Sequence, residues 1–417
     1  MAKKITLRAI DGNSAGYYVL LAILGALIAV GLGAAYYMEH QGHHVTGMTN
    51  QIVWGMPHVF AVFLIVAASG ALNVASISSV FNKSLYKPLA PLSGLLAVSL
   101  LIGGLTVLVL DLGRPDRLIV AMTYYNFKSI FAWNIFLYTG FLAIVVVYLW
   151  MMLEKRFNKH SSQVGFVAFV WRLILTTGTG SIFGFLVARQ YYDAAIMAPL
   201  FILMSFAFGL AIFNIVLAVA FSGTQRPLGD VLVERLRKLL GIFVASVLFF
   251  AAIFHLTNLY ATEHHGVEGF ILAGDNVYSG LFWVGFILLG SIIPLVLCFA
   301  PGFKKSLGAV LTASALVIAG GLSQMYIIII GGQAYPLELF PGKEVSSSFF
   351  DGVVNHYAPS SPEIALGLGG TALALFIVAF AVKVLGFLPE SLANSEIDPH
   401  HSASEAEGEE SASAASA

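Results

Sequence analysis

The chain has 417 residues, of which 58% are apolar and only 10% charged, and its formal net charge is −1. A mean hydropathy of +0.87 excludes a soluble domain of this length, and the balanced charge excludes a basic nucleic-acid surface. What remains is a polytopic membrane protein, because apolar runs of about 20 residues cross a bilayer as helices.

Residues 1–14 carry Lys3, Lys4 and Arg8 and read as a short cytoplasmic N-terminus. The apolar run that follows is too long for a signal-peptide core, so it reads as a retained first span. Ten such runs lie at 15–38, 51–73, 89–112, 130–153, 164–187, 197–222, 239–261, 277–299, 307–331 and 364–387. The expected fold is all-α, a polytopic transmembrane helix bundle over 15–388. Arg172 and a polar Thr176-Thr-Gly-Thr-Gly-Ser181 stretch interrupt the fifth run. Small residues such as Gly25, Gly31, Gly33 and Gly103-Gly104 suit close helix packing. From Pro389 the composition turns to Ser, Ala and acidic residues, so 389–417 reads as a disordered acidic cytoplasmic tail.

Orientation follows from Lys and Arg in the loops. Fourteen lie on the side of the N-terminus and five in the opposite loops, which places both termini in the cytoplasm. The stretch Leu108–Arg117 then lies on the outer face, against the charge rule. It packs Asp111, Arg114, Asp116 and Arg117 into seven residues, and Gly113 and Pro115 break any helix there. One reading is a solvated anchor. The other is a partner-docking surface carried by Arg114, Asp116 and Arg117. Asp111 is placed to pair with Arg114, and Arg189 with Asp193 at i,i+4 spacing.

Ionisable groups inside spans are costly and therefore informative. His58 lies about 10 Å below the outer end of the second span, and His255 about 9 Å below that of the seventh, by helical rise. Trp54 stands one turn from His58. Three readings fit these histidines. They are satisfied core residues; or they serve a quinone, to which a histidine gives a hydrogen bond and a proton exchanger and a Trp or Tyr a flat wall; or His58 and His255 are the two axial ligands of a haem b. The single cysteine, Cys298, holds neither a disulfide nor an iron–sulfur cluster. His40, His43, His44, Glu263, His264 and His265 complete no zinc site, so no metal is expected. A secondary transporter or ion-conducting protein is the competing class, but carriers place charges at the midplane, which here is nearly bare.

The chain resembles the NrfD/polysulfide-reductase membrane-subunit family. The resemblance rests on Trp54-Gly-Met-Pro-His58, Leu110-Asp-Leu-Gly-Arg-Pro-Asp-Arg117, Ser129-Ile-Phe-Ala-Trp-Asn134 and Pro199-Leu-Phe-Ile-Leu-Met-Ser205. Phe282-Trp283 with Pro294, Gly331-Gly-Gln-Ala-Tyr-Pro336 and Tyr357-Ala-Pro-Ser360 with Glu363 complete it. The ten spans look most like the HybB- and DsrP-type branch, the DsrP type above all. The resemblance implies a quinone-reactive subunit of a respiratory or sulfur-metabolism oxidoreductase complex in the bacterial cytoplasmic membrane, not active alone. It implies bound quinone (menaquinone or ubiquinone), no iron–sulfur cluster of its own, and a ferredoxin-like iron–sulfur partner on the periplasmic side. The family's quinone-contacting histidine falls on His58, with Trp54 one turn earlier, and Tyr192 is carried over as a further quinone-binding residue.

Overall fold

The structure, a computed structural model, describes residues 6–337, 340, 343, 348 and 352–397. Most of the long loop 338–351, and the acidic tail beyond Ile397, lie outside the described residues.

Ten helices long and apolar enough to cross a membrane are present: α1 Ala15–Gln41, α2 Met56–Ser79, α3 Ser84–Leu110, α4 Ile130–Leu153, α5 Asn158–Gly184, α6 Met197–Gly223, α7 Asp230–Tyr260, α8 Val277–Phe299, α9 Leu307–Ala334 and α10 Ser361–Val384. They follow the ten apolar runs. Helix α7 starts at Asp230 rather than 239 and α5 at Asn158 rather than 164, while α2 starts late, at Met56 rather than 51. Gly42, at φ +88°, ends α1, and Pro57 sits in the first turn of α2, where its missing N–H is no loss. Residues 42–55 are therefore non-helical apart from one turn at His43–Val45.

Helices α2–α5 form one four-helix group and α6–α9 a second, joined where α2 meets α6 and α9 and where α5 meets α6. Helix α10 packs on α3 and α2, and α1 packs chiefly on α10. The contrast is large: the most apolar window of α2 is 89% buried and that of α1 only 17%. Arg172 does not break α5. It is fully buried, between the Phe169 and Phe206 rings at 4.9 and 5.0 Å, with Nη1 3.5 Å from the Ser69 carbonyl.

In lipid, van der Waals packing holds helices together, so small residues mark close crossings. A Cβ on Gly31 would stand 2.8 Å from the Gly369 Cα, and one on Gly103 would run into the Gly370 carbonyl. Gly25 and Gly33 face open space. At the centre, side chains on Gly70 or Gly209 would run into the facing backbone of α6 or α2.

The two described ends of the chain meet on one face, here the terminal face. Strand β1 (Leu7–Arg8) pairs antiparallel with β2 (Leu388–Pro389). Arg226 donates to the carbonyls of Pro389 at 3.0 Å and Ala9 at 3.1 Å, and Leu392 bridges to Leu228. The chain thus stays folded from 389 to Ile397, the stretch expected to begin the tail.

Gly70→Val should cost about 3 kcal/mol or more of stability, since backbone stands where the side chain must go. Gly25→Val should stay within about 0.5 kcal/mol. Thermal unfolding of both variants in detergent checks the difference; equal midpoints would place the close crossing elsewhere.

Candidate functional site

On the distal face, opposite the termini, the non-helical strand 42–55 needs partners for its backbone. Gln333, at the end of α9, supplies several. Its Oε1 accepts from the N–H of Val53 at 2.9 Å and of Trp54 at 3.1 Å. Its Nε2 donates to the carbonyls of Trp54 at 3.0 Å and Ile329 at 2.7 Å. Glu363, fully buried in the first turn of α10, accepts from the N–H groups of Gly47 and Ser360, both at 2.8 Å, and from the Tyr357 hydroxyl at 2.7 Å. That hydroxyl in turn accepts from the Met56 N–H at 2.6 Å. Burial, and then the hydrogen bond to Glu363, push the Tyr357 phenol up, which keeps it protonated. Arg189 donates to the carbonyls of Gln333 at 2.7 Å and Gln51 at 2.9 Å. Its partners are carbonyls, not the expected Asp193, and burial lowers its pKa.

This clamp fixes Trp54 and His58. Trp54 lies before α2 rather than on it, yet its ring stacks on His58 at 6.2 Å and 29°. Around Trp54 stand Phe131 at 5.9 Å, Phe183 at 5.9 Å and Tyr192 at 6.5 Å. His58, Trp54 and Tyr192 are therefore brought together. Tyr191 and Tyr192 are buried to 3% and 1% exposure, not surface aromatics. The Tyr192 hydroxyl donates to the Ile329 carbonyl at 2.8 Å, and burial raises its pKa. Its ring is a wall, and its hydroxyl is already engaged.

Asp111 is the residue that spacing did not assign correctly. It faces His58, not Arg114: His58 Nδ1 lies 2.9 Å from Asp111 Oδ2, with that side chain 1% exposed. The contact is close, but neither Asp111 oxygen has an aligned hydrogen bond. Asp111 also caps the C-terminus of α3, where the helix dipole disfavours an anion. A buried carboxylate so placed, beside a histidine still 18% exposed at its side chain, is an arrangement that stability alone does not favour. Arg114 instead grips Asp116 with two 3.0 Å hydrogen bonds, which hold the Asp116 carboxyl below its ordinary range. Arg117 points outward without an ion pair among the described residues. Beside it Ile119, Tyr124 and Phe127 are exposed.

His255 forms a separate pair. Its Nδ1 is 2.7 Å from Glu268 Oε2, and Asn258 Nδ2 donates to Glu268 Oε1 at 2.8 Å. Glu268 comes from the short helix His265–Leu272. Tyr191, Phe254 and Phe282 surround the imidazole at 6.4, 5.0 and 4.8 Å. The adjacent cavity of ≈ 10 Å³ is about one water in size. His58 and His255 belong to different helix groups, and each faces its own carboxylate through Nδ1. No three His, Cys, Asp or Glu residues converge among the described residues.

The model of the family "Polysulphide reductase, NrfD" matches residues 44–336. That range holds His58, Trp54, Asp111, Tyr192 and Gln333. The chain is similar to a protein of Archaeoglobus fulgidus named as an Hdr-like menaquinol oxidoreductase integral membrane subunit, with 28% identity across 93% of this chain and 97% of the relative. A putative membrane subunit of dimethyl sulfoxide reductase from Halobacterium salinarum is 27% identical, covering 88% and 90%. A menaquinone reductase integral membrane subunit of Nitratidesulfovibrio vulgaris is 20% identical, covering 90% and 92%.

Gln333→Leu should leave the N–H groups of Val53 and Trp54 without acceptors. The loss should be about 2–3 kcal/mol, read as a lower unfolding temperature together with altered Trp54 emission. An unchanged midpoint would mean that the strand is held by its other contacts.

Proposed function

The chain belongs to the polysulphide reductase NrfD family, and from that premise we propose that it is the quinone-reactive membrane subunit of an oxidoreductase complex. In this reading it exchanges electrons between membrane quinone and an iron–sulfur partner subunit, and is not active alone. Menaquinone is the favoured quinone, because two of the relatives carry menaquinol or menaquinone in their names. The observation that carries the reading is the His58–Asp111 pair beneath Trp54.

The chemistry follows from those groups. A quinol gives up two protons and two electrons. The Trp54 face supports a flat ring, and the Tyr192 and Phe183 rings back it. His58, the exposed member of the pair, takes one hydroxyl proton as general base, releases it through its exposed side and then takes the second, a role that imidazole fills near neutral pH, while both electrons pass to the iron–sulfur partner. Asp111 stabilises the imidazolium that results, and its lack of other donors makes that stabilisation strong. In the reverse direction the same pair delivers the proton. The electrons leave toward the loop 110–129. Asp111 and Arg114 are three residues apart, at most roughly 10 Å of chain, so a partner docked on Arg114, Asp116 and Arg117 sits close to the site. The exposed Ile119, Tyr124 and Phe127 are an apolar surface suited to such a partner.

We place the termini in the cytoplasm and the site at the outer face of the cytoplasmic membrane, on the basic asymmetry of the loops. The iron–sulfur subunit then docks from outside.

His58→Gln keeps a hydrogen-bonding group but loses the proton exchanger. Quinol-dependent reduction of the clusters in the assembled complex should fall by about 100-fold or more, and Asp111→Asn should slow it by a smaller factor. Wild-type rates in His58→Gln would remove the histidine from the chemistry.

Orientation and docking share one measurement. A cysteine replacing Arg117 should react with an impermeant thiol reagent from the outer side, and faster once the partner subunits are stripped. Cys298 is buried and gives little background. Reaction from the cytoplasmic side would reverse the orientation, and equal rates before and after stripping would move the docking surface elsewhere.

A further inference from the structure

On the terminal face a crevice of ≈ 1100 Å³ opens between α1 on one side and α3 and α6 on the other, with α10 behind. Its deep walls are apolar, including Leu20 and Leu24 of α1, Val216 of α6 and Val378 of α10. Its mouth is polar. Asp11, Asn13 and Gln225 line it beside Arg8, Arg226 and Glu390. The volume exceeds the roughly 300–1,000 Å³ of small-molecule sites, and the apolar walls lie along membrane-spanning helices. Only an amphiphile with a long apolar body satisfies both ends.

The charges at the mouth narrow the headgroup. Arg226 is engaged with backbone carbonyls. Arg8 faces Glu390 at 3.4 Å, and both are substantially exposed. Asp11 makes no hydrogen bond or ion pair among the described residues. Lys383 donates to the Gly12 carbonyl at 3.0 Å, so among the described residues Arg8, Arg226 and Lys383 stand side by side with Asp11 and Glu390, and the mouth offers both signs of charge. A phosphate is served by Arg8, and an ammonium by Asp11 and Glu390. A headgroup with phosphate alone would use the cations and leave Asp11 without a partner, whereas a zwitterion matches both signs.

We propose that this crevice binds one zwitterionic glycerophospholipid, its acyl chains between α1 and α6 and its ammonium against Asp11. The lipid takes the place of a protein neighbour along the inner side of α1, which otherwise packs chiefly on α10.

The test is native mass spectrometry of the complex, extracted from vesicles of equal phosphatidylethanolamine and phosphatidylglycerol. One phosphatidylethanolamine per chain should survive delipidation, preferred about fivefold, the factor that one exposed ion pair supplies. Gly16 and Gly223 line the crevice with nothing within 4 Å of an added Cβ, so Gly16→Trp with Gly223→Trp should fill it and expel the lipid. Gly33→Trp, also into open space but outside the crevice, should retain it. Asp11→Asn, which leaves the walls intact, should erase the headgroup preference. The proposal is overturned if the complex retains no lipid, an anionic lipid or a quinone, or if the filled variant still holds phosphatidylethanolamine.

Discussion

Backbone that is not helical cannot be left unpaired near a bilayer core, and the structure hangs on how one such strand is satisfied. The approach to α2 is extended, so its N–H and C=O groups turn to side chains from the far end of the sequence. Gln333 binds on both its edges, Glu363 and Tyr357 hold the ends of the strand, and Arg189 gathers carbonyls from two segments. The arginine and the carboxylate do not pair with each other. Each is spent on backbone, so the clamp sets a path for the chain rather than a charge balance. Trp54 and His58 inherit their positions from it. Gly55 belongs to the same design, because a Cβ there would collide with Glu363 and Tyr357.

The two four-helix groups each carry a histidine beside an acid near the distal face, and the difference between the pairs is instructive. Glu268 is fully buried and doubly bonded, to His255 and to Asn258. A carboxylate so satisfied stabilises the fold and fixes the imidazole. Asp111 has His58 as its one ion-pair partner among the described residues, lies at the wrong end of a helix dipole, and belongs to a histidine with an open side. Stability favours the first arrangement. The second is not explained by stability, and it lies against the Trp54 ring. Residue type and depth alone do not separate these histidines; hydrogen-bond satisfaction does.

Much of the architecture was legible in the sequence, since ten long apolar runs have few other solutions. That His58, Trp54 and Tyr192 belong together was suggested by the sequence, two from their place at a span entrance and one through resemblance, and the structure does bring them together. The partner of Asp111 was not. In sequence Arg114 is three residues away and His58 is 53 positions away, and local spacing always favours the neighbour. Arg189 misled for the same reason: i,i+4 spacing implies a helix, and the segment between α5 and α6 is a set of turns. The motif residues Gln333, Tyr357 and Glu363 stood out in sequence without a role, because backbone hydrogen bonds across some 280 to 316 positions leave no periodic trace.

The clasp between the chain ends bears on how the molecule is made. Among the described spanning helices α1 is synthesised before the other nine, yet its main protein neighbour, α10, follows all of them. During nearly all of translation α1 must therefore wait in the bilayer as a lone, lipid-solvated helix, while the two four-helix groups assemble beside it. Its docking, and the zipping of β1 onto β2, are the closing event of biogenesis. A chain without α10 would leave α1 without its main neighbour and a face of α3 uncovered. The clasp thus forms only after α10 and β2 have been made.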